Sequence, residues 1–187
     1  MSDGDLDKLG PLRGLVGTWE GGEGEDVAPS AMRGEAVSPY RERMVFECIG
    51  AVDNHEQHMF GVRYRTTAWR KGAPDPFHED TGYFLWDAGS ATVMKAFVVP
   101  RGITVLAGGT ASDADRSFTV RAEVGSQTFG IVSNPFLDRE FRTERFELTM
   151  SVDGDRLEYR QDTVLRMPGR AEPFHHTDRN VLRRIGA

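Results

Sequence analysis

The stretch RFELTMSVDGDRLEYRQDTVLRM, residues 145–167, narrows the choice of fold more than any other part of the chain. Phe146, Leu148, Met150 and Val152 alternate with polar residues, Asp153-Gly154-Asp155 reverses direction, and Leu157, Tyr159, Gln161, Thr163 and Leu165 continue on the way back. A period of two rather than 3.6, sustained on both sides of a turn, predicts a long antiparallel hairpin with one buried face. A second hairpin is predicted in TVMKAFVVPRGITVLAGG, where Pro100-Arg101-Gly102 joins two β-branched runs. Further strands are expected near 15–22, 40–50, 59–70, 79–87, 116–124, 128–133 and 174–185, about ten in all. Only DLDKLGPLRGLV suggests a short helix, so residues 1–11 are expected to be flexible or briefly helical.

So many short strands need closure or stacking to hide their edges, which leaves a barrel or a sandwich. With 187 residues, no repeat and no linker, a single domain over 1–187 suffices. The Gly-, Ala- and Pro-rich segment 21–39 reads as a long loop after the first strand, placed to cover a cavity mouth.

Charge and composition remove several function classes. A net charge of −6 disfavours nucleic acid as partner. No apolar run reaches the roughly 20 residues that span a bilayer, and the polar start lacks a signal-peptide core, so no membrane and a cytoplasmic location are expected. Cys48, the one cysteine, is expected as a small buried hydrophobe. No phosphate-binding glycine loop, Gly-x-Ser-x-Gly elbow or His-Glu-x-x-His helix is present, which leaves hydrolase chemistry unsupported.

Five histidines remain to be placed. His55 and His58 have metal-pair spacing without a third ligand and are read as loop residues. His78 and Asp80 share a strand face that excludes Glu79, and are read as the start of a strand. His175 and His176 lie in PFHHTDRNVLRR, residues 173–184, where Thr177, Asp178, Arg179 and Asn180 must divide between two faces and so put a polar network inside any barrel. One imidazole lining a pocket and a solvated strand end are both open readings. Trp69, Trp86, Phe60, Tyr64, Tyr83, Phe84 and Phe97 supply aromatic material for a cavity wall or a solid core.

The phrase LVGTWEGGEGE resembles the opening of the lipocalin and fatty-acid-binding-protein superfamily, in which the strand-one Trp closes one barrel end beneath a basic residue of the last strand. Trp19 would then meet Arg183 or Arg184. With YRERMVFE, PFHEDTGYFLWD, VVPRGITVLAGG and PFHHTDRNVLRR in order, the chain is similar to the nitrobindin family of haem-binding β-barrels. That resemblance implies a ten-stranded antiparallel up-and-down barrel whose pocket holds haem b through a last-strand histidine. It also implies binding of nitric oxide and related nitrogen oxides, with peroxynitrite isomerisation as an enzymatic activity only where haem is bound. The family's histidine column, counted from Pro173 and from Val181, falls on Thr177. His176 is one place earlier and would face outward without a bulge, while His175 shares the facing of Thr177 about 6.6 Å away. The Tyr-Pro-Thr that usually follows strand one is replaced by Ala28-Pro29-Ser30. The expected ligands of haem iron are therefore His176 or His175, with Thr177 beside them. The alternative is a haem-free carrier of a fatty-acid-like or other apolar small molecule, with Arg63, Arg65, Arg179 or Arg183 meeting a carboxylate where strand phase turns them inward; on either reading a monomer or homodimer is expected.

Overall fold

A computed structural model describes residues 3–186. One helical turn, α1 (Asp3–Leu6), leads into a 3-10 helix, Asp7–Leu15, that kinks at Gly10. Met1 and Ser2, the start of the segment expected to be flexible or helical, lie outside the described residues. Eleven strands follow: β1 (Gly17–Pro29), β2 (Glu35–Asn54), β3 (Gln57–Arg70), β4 (His78–Asp87), β5 (Thr92–Val99), β6 (Ile103–Thr110), β7 (Ser117–Val124), β8 (Gly130–Ser133), β9 (Arg142–Asp153), β10 (Arg156–Arg166) and β11 (Phe174–Gly186). A short helix, α2 (Pro135–Glu140), precedes β9, with Asn134 accepting from the backbone N–H groups of Phe136 and Leu137 as its cap.

The strands close into one barrel in the order β1-β11-β10-β9-β7-β8-β6-β5-β4-β3-β2, with β2 paired back onto β1. The pairings are antiparallel except between β7 and β8, which run parallel through Glu123–Gly130 and Val124–Ile131. β8 is the short strand expected near 128–133. It fills the gap where β6 and β7 meet only at Gly108 and Arg121, by pairing with Ile103, Thr104 and Val105 of β6.

The expectation for residues 21–39 is corrected. This segment is mostly strand, with β1 running to Pro29, β2 starting at Glu35, and a turn only between them. Small residues that suggest a loop serve here to pass β1 beneath bulky partners: Gly24 pairs with Tyr40, and a bulge lies between Gly21 and Gly24. The hairpin tip is tied to α2, where Arg33 Nη2 sits 2.6 Å from Glu140 Oε2 and its guanidinium lies 5.1 Å from the Phe141 ring centroid.

One end of the barrel is solid. Leu9, Leu12 and Leu15 of the 3-10 helix, with Trp19, Val62, Trp86, Val93, Leu157 and Leu182, fill it completely. Trp19 Nε1 donates to Leu15 O at 2.7 Å, and the Arg184 guanidinium lies 4.1 Å from its ring centroid. Arg184 also donates to the carbonyls of Gly14 and Val16 and to Asp155, so it closes the end by hydrogen bonds as well as over the ring. Arg183, the other candidate for this contact, is exposed on the outer face, because adjacent residues of a strand point to opposite sides. Cys48 packs partly buried against the core.

Candidate functional site

Above the plug the barrel is hollow. A cavity of about 670 Å³ extends to the opposite end, within the size range of small-molecule sites. Its wall combines an aromatic and aliphatic side, which includes Phe46, Phe84, Phe97, Phe146, Leu148 and Met150, with a polar side of unusual charge density. Asp26, Glu42, Asp80 and Lys95 are all buried there. The mouth is bordered by the β1–β2 hairpin tip, α2, and the β5–β6 turn carrying Arg101.

The last strand explains much of this. Phe174, Asn180 and Leu182 are buried, so even-numbered residues of β11 face inward, and His176 and Asp178 line the cavity. His176 Nε2 lies 2.8 Å from Asp26 Oδ1, with the imidazole one-third exposed (33%) toward the mouth. Two readings of this strand are therefore corrected. His176 faces inward without a bulge, and Thr177, the position of the family's histidine column, lies on the outer face with Glu25, Arg160 and Asp162. His175 also points outward, is 56% exposed, and bonds Asp162 Oδ2 at 2.9 Å, so it cannot reach the cavity.

Behind His176 runs a chain of hydrogen bonds. Tyr159 Oη lies 2.9 Å from Glu42 Oε2 and 2.6 Å from Tyr40 Oη, and Tyr40 donates to Asp178 Oδ1. Asn180 Nδ2 donates to Glu42 Oε2 at 3.1 Å. Each phenol has a single proton to give. With Glu42 protonated, all three links are satisfied in one direction, from Glu42 through Tyr159 and Tyr40 to an ionised Asp178. With both carboxylates ionised, the two phenols must donate apart and leave their own 2.6 Å contact without a proton. Burial, reinforced by the neighbouring Asp178, pushes the Glu42 carboxyl up to about 8. Burial likewise raises Asp178 to about 6, against the lowering effect of the Tyr40 bond. Burial raises both Tyr40 and Tyr159 and keeps them as neutral donors.

Gly24 makes room for this chain. A Cβ at that position would overlap the Tyr40 ring. Gly24→Ala should therefore displace Tyr40 from Asp178 and lower stability by about 1–3 kcal/mol, the usual penalty for overpacking. Thermal unfolding together with the near-UV signal of the tyrosines measures both effects.

A second polar group sits across the cavity. Lys95 Nζ is 3.5 Å from Asp80 Oδ2, which also accepts from Tyr64 Oη at 2.8 Å. The reading of His78 and Asp80 as simple strand-start residues is corrected for Asp80, which is buried in the cavity wall. His78 lines the exposed rim, and Glu79 pairs outside with Arg65. Arg63, Arg65 and Arg179 are exposed and paired with Glu47, Glu79 and Glu25, and Arg183 is exposed too, so the carboxylate-binding arginines of the carrier alternative all point away from the cavity. Of the aromatics named from sequence, Tyr64, Phe84 and Phe97 line the cavity and Phe60 and Trp86 pack in the core. Trp69 stacks under Arg41 and lines no part of the cavity, and Tyr83 is exposed. His55 and His58 are exposed beside the β2–β3 turn. Among the described residues no cluster of three or more His, Cys, Asp or Glu is arranged to hold a bare metal ion, and no helix is long and apolar enough to cross a membrane.

A tetrapyrrole asks for an imidazole, a flat apolar wall and cations near its acidic edge. His176 offers the imidazole, and Asp26 fixes one of its nitrogens in the manner usual for metal-binding histidines. Among the described residues none bonds its Nδ1. Phe97, Phe146, Ile103 and Leu165 supply apolar wall, and Arg70 and Arg101 stand at the lining nearest solvent. The donor set fits haem.

Comparison with known proteins agrees with this architecture. The sequence matches the THAP4-like, heme-binding beta-barrel domain over residues 8–184. The crystal structure of Rv2717c from M. tuberculosis is similar in fold, with a TM-score of 0.65 at 22% sequence identity over 93% of this chain and 96% of that one. No curated protein matches the sequence.

Proposed function

The chain belongs to the THAP4-like, heme-binding β-barrel family, a ligand-binding barrel of nitrobindin type, and from that premise we propose that its cavity holds ferric haem through His176. The observation that carries this reading is the inward-facing His176 imidazole, backed by Asp26 at 2.8 Å, at the head of a cavity of about 670 Å³. Bound haem would supply an iron centre able to take up nitric oxide and related nitrogen oxides.

The protein's own residues then have distinct tasks. Asp26, by accepting a hydrogen bond from the far nitrogen, fixes the tautomer and the orientation of the imidazole and leaves the near nitrogen as the donor. Phe97, Phe146 and Leu165 keep water from the ligand's faces, and Arg70 and Arg101 are placed to meet carboxylates at the mouth. The chain from Glu42 to Asp178 holds a proton next to the His176 side of the cavity.

Titration with haemin is the test. The wild-type chain should develop a Soret band and bind with one haem per chain. His176→Ala should shift that band and weaken binding at least about tenfold, as expected for loss of an axial or orienting ligand. His175→Ala should leave both unchanged. A His176→Ala spectrum identical to wild type, or no Soret band at all, overturns the assignment.

A further inference from the structure

Lys95 has no task in haem binding, yet its surroundings are those of a reactive amine. It lies on β5 between the inward-facing Val93 and Phe97, with 6% of its side chain exposed. The ammonium position is 4.1 Å from the Phe97 ring centroid, 5.0 Å from Tyr64, 5.5 Å from Phe146 and 5.7 Å from Phe84. These rings form a cage that stabilises a cation on the cavity wall.

Its counter-charge is only half used. The Lys95–Asp80 separation of 3.5 Å is longer than the roughly 2.7–2.9 Å of a charge-assisted hydrogen bond. Asp80 is 7% exposed, and its Oδ1 is buried with no hydrogen-bond partner among the described residues. A purely structural ion pair satisfies both oxygens, because an orphaned buried carboxylate oxygen costs about 1–3 kcal/mol or more. Here an amine and an unpaired acceptor stand side by side in the wall of a ligand-sized cavity.

We propose that Lys95 is a carbonyl-capture site, whose amine condenses with the aldehyde group of a flat, apolar or aromatic ligand to form an imine. The nitrogen lone pair attacks the carbonyl carbon, a C–N bond forms and the carbonyl oxygen takes up a proton. The C–O bond then breaks, the hydroxyl leaves as water with a proton relayed by Asp80 Oδ1, and no electrons are gained or lost overall. The product is a cationic, protonated imine or its neutral form, matched to the aromatic cage and to Asp80 as counter-ion. Burial lowers the Lys95 pKa against the opposing pull of Asp80, which increases the share of nucleophilic amine near neutral pH. The inference rests on the cavity as a ligand site, not on haem.

The chain's three lysines make the test direct, because Lys8 and Lys71 are exposed. Protein prepared without added haem is mixed with 4-dimethylaminocinnamaldehyde, followed by absorbance, then reduced with cyanoborohydride and mapped by mass spectrometry. The expected product is one adduct per chain, with a mass gain of one aldehyde less one oxygen, on Lys95. It should form at least about tenfold faster than any adduct on Lys8, Lys71 or the amino terminus. Asp80→Asn should slow the reaction about fivefold or more while leaving the adduct on Lys95, and Lys95→Met should abolish it. No adduct, or modification of the exposed amines at a comparable rate, overturns the proposal; peptide mapping of the wild type decides this even if Lys95→Met fails to fold. An adduct without a Soret response rejects haem alone, and a Soret response without an adduct rejects capture alone.

Discussion

Raising the pH from 5 to 8.5 should destabilise the wild-type barrel by on the order of 4 kcal/mol, and Glu42→Gln should remove most of that loss. The sign follows from the direction of the shift. Glu42 moves from an ordinary 4.5 up to about 8, so the folded state holds its proton where the unfolded chain has released it. The associated stability is full below pH 4.5 and is lost as pH rises through about 8. At about 1.36 kcal/mol per pH unit, a window of this width gives the stated magnitude. Asp178, raised from 3.8 to about 6, adds a loss of the same sign at lower pH. Lys95, whose pKa burial lowers, contributes a slope of opposite sign, so the difference between variants isolates Glu42 better than either profile alone. Glutamine can still donate to Tyr159 through its amide N–H, as the protonated carboxyl does, and it cannot ionise. Glu42→Gln should therefore be close to wild type at pH 5 and clearly more stable at pH 8.5. Urea unfolding at fixed ionic strength across this range is the measurement, and parallel curves for the two proteins contradict the proton assignment.

The barrel was legible in the sequence because alternation and turn residues are local properties. Phe146 to Val152 and Leu157 to Leu165 announce β9 and β10 without reference to anything distant. The site was legible only in part, and the reason is phase. In Thr177-Asp178-Arg179-Asn180 every residue is polar, so the segment alone does not say which face is inner. Phe174 and Leu182 carry that information, since both are buried and even-numbered, and counting from them puts His176, Asp178 and Asn180 inside. Anchoring on a proline and an apolar pair instead gave Thr177. Lys95 had a similar signal, standing between Val93 and Phe97 on one face of an otherwise apolar strand. Asp26 had none, because the bulge between Gly21 and Gly24 breaks the alternation that would connect it to Trp19. The link between Glu42, Tyr159, Tyr40 and Asp178 spans residues far apart in the chain, and only barrel closure brings them together. Segment 21–39 misled because glycine is common both in loops and in strands that pass close beneath aromatic partners.

Trp19→Ala should be the most damaging single change outside the cavity, at about 3–5 kcal/mol. Trp19 is fully buried between the 3-10 helix and the strand ends, and its loss opens a void the size of an indole at the solid end of the barrel. It also removes the ring on which the Arg184 guanidinium stacks, while leaving that group's bonds to the carbonyls of Gly14 and Val16. Without the ring that cation still has its oxygen partners, so it should remain in place and keep the void from collapsing, which puts the cost at the upper end of the range. Trp19→Phe retains part of the packing but gives up the Nε1 bond to Leu15 O, and should cost about 1–3 kcal/mol. The plug and the polar cavity are separate layers of one barrel, so Trp19→Ala should lower the whole stability profile without flattening the pH dependence set by Glu42. Urea unfolding of Trp19→Ala at pH 5 and pH 8.5 tests both parts. A cost below about 1 kcal/mol would show that the 3-10 helix and Arg184 close the barrel without the indole, and a flattened pH profile would show that plug and cavity are coupled.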